Sequence, residues 1–215
     1  MSNGAGILAI WHDCTAGSED TFEHWYQSEH LIERVSVPGF GVGRRYEAIA
    51  GDRQYFTYYE VDSPDVLTSG AYVDRLNDPT PLTKQVMSGI FVRPSRTVCR
   101  RTYRSGSIEG SIVVTATATS SGELEQWQSE LFKLPLTDGI ANVQVWSAVA
   151  DASDVGSREQ ELRGGDETIA GCIIVSVLRE QVAETVSEWI KGNFTLKPEQ
   201  IGVYRMLCQL HELAL

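Results

Sequence analysis

The sequence lacks both an excess of positive charge and any long hydrophobic run. Its 215 residues include 18 lysines and arginines against 29 aspartates and glutamates, which gives a net charge of −11. Nucleic acids and anionic membrane surfaces bind clustered positive charge, so the composition argues against both partners. No apolar stretch approaches the roughly 20 residues that cross a bilayer. Residues 1–6 do not have the pattern of a signal peptide, and we expect none.

Cysteine and histidine are also scarce, with four of each. The cysteines form no CxxC pair and no zinc-binding spacing, and we expect buried free thiols in a reducing cytoplasm. They are Cys14, Cys99, Cys172 and Cys208. The spacing of His12, His24 and His30 matches no metal signature, so the sequence predicts no metal site.

Motifs that bind common cofactors are missing as well. The chain has no GxGxxG after a strand, no Walker loop, no nucleophile elbow and no HExxH. These absences argue against a dinucleotide enzyme, an ATPase, a serine hydrolase and a zinc protease. We therefore predict no cofactor.

What the sequence does contain is the patterning of a globular α+β protein. Hydrophobic residues make up 42% and charged residues 22%, which is ordinary for a folded domain. Apolar alternation and helical periodicity predict a β-α-β-β-α-β order in the first half. The predicted strands are 6–13, 41–49, 54–61 and 96–103, and the predicted helices are 18–35, 65–76 and 82–88.

The second half repeats this order. The predicted strands are 111–119, 140–150, 168–178 and 200–210, the helices are 123–133 and 180–191, and 152–166 is a polar hairpin loop. A linker at 104–107 divides the chain into halves 1–104 and 105–215. Each half would be a four-stranded antiparallel sheet with its helices on one face, and the two open faces can bury each other. We predict an α+β fold in which two ferredoxin-like halves form an intrachain pseudo-dimeric α/β barrel.

Short segments carry a family resemblance. The segment WYQSEHL at 25–31, followed by PGF at 38–40 and RRY at 44–46, resembles the dimeric α/β-barrel superfamily and, within it, the EthD-like group. The second half aligns weakly, through WQSEL at 127–131 and Gly139-Ile140. It lacks a histidine after Glu130 and the arginine pair, so a site is expected in the first half.

This resemblance implies a ligand cleft between sheet and helices or at the centre of the barrel. The superfamily includes cofactor-free monooxygenases, haem-binding enzymes, isomerases and dehydratases. EthD-like proteins are often linked to the metabolism of small organic molecules.

The predicted catalytic residues are His30, Tyr26 and Arg44. Histidine exchanges protons near neutral pH, and Tyr26 lies four residues before His30 on the same helix face. Strand alternation places Arg44 on one face and Arg45 on the other, which leaves open which of them faces the cleft. The structural alternatives are a histidine that stabilises the helix end and arginines that pair with nearby glutamates.

The predicted substrate-binding residues are mostly aromatic. They are Trp25, Phe40, Arg45, Tyr46 and Tyr58. Aromatic side chains occupy both faces of strand 54–61, and core packing explains most of them. A row at Arg96, Arg100 and Arg104 indicates either an anionic pocket or a solvated edge.

Two functions from different classes follow from these residues. One is a cofactor-independent enzyme that acts on a small aromatic or carbonyl compound with His30 as acid or base. The other is a non-catalytic ligand-binding or structural protein. A weaker third alternative is haem binding through His30 or His12. The expected partner is a small molecule, and a homodimer stays an open alternative.

Overall fold

The computed structural model describes residues 6–134, 138–150 and 152–212. These residues form eight antiparallel strands that close into a barrel. The strands are β1 (Gly6–Cys14), β2 (Phe40–Ala50), β3 (Tyr55–Val61), β4 (Phe91–Ser105), β5 (Ile112–Ala118), β6 (Ile140–Ala148), β7 (Gly171–Val177) and β8 (Ile201–His211). Around the barrel they are ordered β1-β3-β2-β8-β5-β7-β6-β4.

Helices cover the outer faces of the barrel. They are α1 (Glu19–Trp25), a π-helical turn (Tyr26–His30), α2 (Leu31–Val35), a 3₁₀ turn (Pro64–Thr68), α3 (Gly70–Asn77), α4 (Pro81–Met87), α5 (Ser121–Leu131), α6 (Arg158–Arg163), α7 (Glu180–Asn193) and a second 3₁₀ turn (Pro198–Gln200). No helix among the described residues is long and apolar enough to cross a membrane.

The two halves have the same strand order. The first half runs β4-β1-β3-β2 and the second β8-β5-β7-β6, so each strand has a counterpart in the other half. The halves join at two equivalent contacts, β2 with β8 and β4 with β6. This arrangement confirms the predicted α+β fold of two ferredoxin-like halves in one barrel.

Two glycines mark equivalent turns in the halves. Gly39 (φ +91°) precedes β2 and Gly139 (φ +103°) precedes β6, in a backbone region that favours glycine. The carbonyl oxygen of each accepts a 2.9 Å hydrogen bond, from the amide of Asp62 and of Leu178 respectively. The predicted alignment of these positions therefore holds in three dimensions.

Strand alternation separates the packed interior into three layers. Inward side chains such as Trp11, Phe56 and Trp146 fill the barrel. Outward side chains pack against the helices, around Trp25 in the first half and Trp127 in the second. One face of each sheet therefore meets the other half, and the opposite face meets helices.

Three predictions of local structure need correction. The loop predicted at 152–166 contains α6, which begins after its N-cap Ser157 and ends at Gly164 in the left-handed conformation. The helix predicted at 65–76 is interrupted at Ser69, whose extended backbone ends a 3₁₀ turn and caps α3. The predicted linker begins too early, because Arg104 and Ser105 still pair with β6.

Candidate functional site

A small cavity lies between the outer face of the first-half sheet and its helices. Its volume is about 20 Å³, which is room for about one water molecule. Side chains of the first half form most of its wall, and α6 of the second half closes it. The lining residues are Leu8, Ile10, Tyr26, His30, Arg34, Tyr59, Tyr72, Leu76, Met87, Phe91, Arg96, Glu159, Arg163 and Asp166.

The π-helical turn places two predicted residues in the cavity wall. The amide of Leu31 donates to the carbonyl of Tyr26, five residues earlier, which is the hydrogen bond of a π turn. Tyr26 and His30, at the two ends of the turn, are both buried. The His30 ring lies 4.1 Å from the Trp25 ring and 5.2 Å from the Tyr26 ring. Such turns frequently occur at functional sites.

Three buried polar atoms in this wall have no hydrogen-bond partner within the described part of the chain. They are Nδ1 of His30, Nη1 of Arg34 and the hydroxyl of Tyr59. Buried polar groups are nearly always satisfied, and an exception calls for a physical explanation. Because all three residues border one cavity, the wall is suited to an oxygen-bearing ligand.

Burial decides the protonation of these groups. Burial, together with the positive charge of Arg34, holds the pKa of His30 well below its ordinary value. His30 is therefore a neutral imidazole near pH 7. Burial raises the pKa of Tyr59 well above its ordinary value, so its hydroxyl stays protonated and can donate.

Arginines and carboxylates surround the same cavity. Burial opposes the charge of Arg34, but the Glu159 carboxylate raises its pKa above the ordinary value. Arg96 donates to the Tyr72 hydroxyl at 3.2 Å, and Arg163 pairs with Asp166 at 2.6 Å. With three arginines and two carboxylates, this wall carries one net positive charge.

Two predicted substrate-binding residues support the wall from behind. Trp25 packs against His30, and its indole nitrogen donates to the Thr83 hydroxyl at 2.9 Å. The ring of Phe40 lies 5.6 Å from that of Tyr59 and 5.5 Å from that of Tyr72. Both contribute packing that positions the residues lining the cavity.

Arg44, Tyr46 and Tyr58 lie on the opposite side of the sheet, inside the barrel. Arg44 donates to Glu60 at 2.5 Å and to the Tyr58 hydroxyl at 3.1 Å. Tyr46 stacks on Tyr58 with ring centres 6.0 Å apart. The expectation that Arg44, Tyr46 and Tyr58 share a cleft with His30 is therefore wrong, because the pleat points them away from the helices.

Arg45 faces the helices, as alternation predicts for the neighbour of Arg44. Its guanidinium donates to both carboxylate oxygens of Glu23 at 2.6 Å and lies 4.3 Å from the Tyr26 ring centre. It borders an open groove of about 520 Å³ on the outer side of Tyr26. Tyr26 thus separates Arg45 from the cavity at His30.

Sequence reasoning missed several members of the cavity wall. Arg34 has a sequence signal, since Tyr26, His30 and Arg34 recur every four residues along one helix face. Of the arginine row, Arg96 lines the cavity, whereas Arg100 is exposed. Glu159 comes from the other half, and a local pattern cannot predict that contact.

His12 occupies the same face of the sheet but is enclosed by aromatic rings. Its ring stacks on Phe91 at 4.2 Å, and its Nδ1 lies 3.2 Å from the Asp13 carbonyl oxygen. Burial lowers its pKa to about 3, so it is neutral near pH 7. Within the described residues, no three histidine, cysteine, aspartate or glutamate side chains are grouped to hold a metal ion.

The corresponding layer of the second half is apolar. Trp127 stacks on Phe194 at 5.1 Å, and Leu131 packs into the same cluster. The position that follows Glu130 is therefore occupied by core packing.

Comparison with known proteins relates the chain to others by structure. No family model and no curated protein matches it. An anthrone oxidase-like protein superposes with a TM-score of 0.62 at 10% identity, covering 96% of this chain and 92% of that one. A "putative chlorite dismutase" gives 0.56 at 12% identity, covering 94% of each chain. A "putative monooxygenase" from Fusobacterium nucleatum gives 0.54 at 8% identity, covering 97% and 95%.

At these identities the likeness establishes the fold, and an activity cannot be transferred with it. The strand order, the two equivalent contacts between halves and these superpositions agree. The chain has a dimeric α/β-barrel-like fold, with both ferredoxin-like halves in one polypeptide.

Proposed function

We propose that this protein is a cofactor-independent enzyme that removes a proton from a small aromatic or carbonyl compound bound beside His30. The observation that carries the proposal is that His30, Arg34 and Tyr59 line one small cavity and each has a buried polar atom without a partner among the described residues. They combine a proton acceptor with two hydrogen-bond donors, which is what enolisation of a carbonyl compound requires.

The proposed step is a proton transfer with no net redox change. The neutral imidazole of His30 takes a proton from carbon next to a carbonyl group. The electron pair of that C–H bond becomes part of an enolate, whose oxygen accepts a hydrogen bond from Tyr59, while Arg34 supplies a positive charge to the same wall. A positioned general base contributes about 10²- to 10⁴-fold to such a rate.

The name of one relative by fold supports a substrate with such an acidic C–H bond. An anthrone carries acidic hydrogens on a ring conjugated with a carbonyl group, and one relative is described as anthrone oxidase-like. The proposal also includes membership of the EthD-like group, which is based on the motif at 25–31, and a cytoplasmic location. A homodimer stays an open alternative.

Haem does not fit the two histidines. His12 is packed among the rings of Phe91, Tyr55 and Phe22. The space beside His30 is about 20 Å³, far less than a macrocycle occupies. We therefore derive no step through haem.

Deuterium exchange tests the proposal without knowledge of the natural substrate. Enolisable aryl ketones, with anthrone among them, are incubated with the protein in D₂O, and loss of the acidic proton is followed by NMR. We expect His30→Gln to slow exchange by at least about 100-fold, the lower range for a general base. The control His24→Gln changes an exposed histidine of α1 and is expected to keep the wild-type rate.

The second function is non-catalytic binding, which the tight packing of the cavity favours. In that case ketones would bind with the same affinity to wild type and His30→Gln, and neither protein would accelerate exchange. Such a result would contradict the enzyme proposal.

A further inference from the structure

The β6–β7 connection breaks the symmetry between the halves. The β2–β3 hairpin turns within residues 51–54, whereas its counterpart in the second half spans 149–170. Its helix α6 packs on α3 and α4 of the first half and covers the cavity at His30. We name residues 152–166 the covering segment.

The covering segment places a carboxylate on Arg34. Both oxygens of Glu159 accept from Nη2 of Arg34, with Oε2 at 2.5 Å. The two side chains are only 3% and 2% exposed, so each charge depends on the other for compensation. Arg34 lines the cavity, and its buried Nη1 has no partner among the described residues.

Glycines flank α6 on both sides. Gly156, Gly164 and Gly165 have φ angles of +58°, +80° and +96°. An added Cβ at any of them would meet no atom within 4 Å among the described residues, so their backbone conformation, and not close packing, favours glycine there. These are positions at which the covering segment can rotate away from the barrel.

The cavity is too small for a ring-sized ligand as it stands. A volume of about 20 Å³ cannot hold an aromatic ring, so part of the wall has to move, and α6, which is flanked by glycines, is the element that we expect to move. Displacement of α6 also removes Glu159 from Arg34. A buried arginine left without its carboxylate is strongly unfavourable. A neutral ligand would leave this charge uncompensated.

We propose that the ligand carries an anionic oxygen, a carboxylate or an ionised phenol, which takes the place of Glu159 on Arg34. Glu159 is then an internal competitor that closes the cavity while no ligand is bound. This inference rests on the proposed location of the ligand beside His30, and it adds the charge of the ligand and the means of closure.

A matched pair of probes tests the charge requirement. 4-Acetylbenzoate and 4-acetylbenzamide have nearly the same shape and the same enolisable ketone, but only the first carries a carboxylate. Their dissociation constants are measured by calorimetry with wild type, Glu159→Gln and Glu161→Gln. Glu161 lies on the same helix and pairs with Arg158 on the surface, so Glu161→Gln is a control of equal charge change.

We expect Glu159→Gln to bind 4-acetylbenzoate at least about tenfold more tightly than wild type, which corresponds to about 1.4 kcal/mol of lost competition. Its affinity for the amide should change far less, and Glu161→Gln should match wild type. If Glu159→Gln does not fold, wild type alone gives an answer. It should prefer the carboxylate to the amide, and binding should speed hydrogen exchange of the amides of α6.

Failure of the anionic-ligand inference and failure of the proposed function give different results. Equal affinity for the two probes in wild type and Glu159→Gln would overturn the anionic-ligand inference. In that case the acidic C–H protons of 4-acetylbenzamide could still exchange for deuterium in a His30-dependent way, and the proposed function would then stand. If neither probe bound any of the proteins, both the inference and the proposed function would be contradicted.

Discussion

Burial determines what the two inner histidines can do. Desolvation makes the charged imidazole unfavourable, and nearby arginines add repulsion. His12 has its Nδ1 next to a backbone carbonyl and its ring among aromatic neighbours. His30 lines a cavity, and its buried Nδ1 has no partner within the described part of the chain. Both imidazoles are therefore neutral near pH 7, and the two differ in their surroundings.

The lowered pKa values predict a loss of stability in mild acid. Below about pH 6.5 the unfolded chain binds protons at His12 and His30, whereas the native protein does not. The free energy of unfolding therefore falls as the pH drops, by about 1.4 kcal/mol per histidine between pH 7.5 and 5.5. Urea unfolding at both pH values measures this loss.

Two variants assign the loss to particular residues. His12→Phe keeps an aromatic ring and should remove about half of the pH dependence, while the exposed His24→Gln should leave it unchanged. A stability that does not vary between these pH values would contradict the burial argument.

The barrel interior contains a second charged cluster. Glu60 accepts from Arg44 at 2.5 Å and from Arg101 at 2.8 Å, and these cations hold its pKa below the ordinary value even though burial raises it. Glu60→Gln should lower the free energy of unfolding by about 3 kcal/mol, because it leaves buried arginines uncompensated. Chemical denaturation measures the change. The exposed Glu125→Gln is the control, and an equally small effect of both variants would show that the cluster contributes little.

Only part of the candidate site could be predicted at the residue scale. Helical spacing pointed to Tyr26 and His30, and the structure places both in the cavity wall. Whether Arg44 or Arg45 faces the helices stayed open, because a sequence shows that neighbours on a strand alternate but not which face meets the helices. Glu159 was missed because its contact with Arg34 joins residues more than a hundred positions apart.

At the scale of elements, the two glycine turns show how closely the halves correspond. A Cβ at Gly39 would lie 2.7 Å from Val66 Cγ2, and one at Gly139 would lie 2.8 Å from Val182 Cγ2. Each glycine thus allows the turn before a second strand to contact the helical segment that follows the third. The valines occupy corresponding places in the two halves.

This correspondence predicts matched effects of substitution. Gly39→Ala and Gly139→Ala should each lower the free energy of unfolding by about 1–2 kcal/mol, since both add backbone strain and a close contact. Gly122 lies near the start of α5, and an added Cβ there would meet no described atom within 4 Å. Gly122→Ala should therefore be neutral or stabilising. Thermal denaturation compares the three. A large effect at one turn and none at the other would contradict the equivalence.

Elements with strong local patterns were predictable, and α6 was not. A run of apolar residues predicts strands such as β7. The segment that contains α6 is polar, although Ser157 followed by Gln160 is a helix-start pattern. Its stability depends on contacts with α3, α4 and Arg34, which no local pattern contains.

At the scale of the whole molecule, each half completes the other. The inward faces of both sheets form one packed interior, and two contacts between strands close the ring. Neither half can expose its inward face to water without losing this burial. The division of the chain into domains 1–104 and 105–215 therefore stays a prediction.

The shared interior predicts a single cooperative unfolding unit. Under conditions where exchange reports opening equilibria, amides at the centres of β3 and β7 should show the same free energy of opening within about 1 kcal/mol, because both require global unfolding. Hydrogen exchange followed by NMR measures both strands in one sample. Markedly weaker protection of β7 would indicate that the second half opens on its own.

The duplicated order of strands and helices was enough to predict this architecture. It could not predict that the second half also supplies the cover of the first-half cavity. That contact depends on the length and direction of residues 149–170, which follow from packing across the two halves.

The proposed site requires that a small molecule bind beside His30 in the first-half cavity. Its most direct test is a titration of 4-acetylbenzoate into protein labelled with ¹⁵N-histidine. We expect a saturable change in the chemical shifts of the His30 ring nitrogens, with the signals of the exposed His24 unchanged. Binding that left the His30 signals unperturbed while other resonances moved would contradict the proposed site and place the ligand elsewhere.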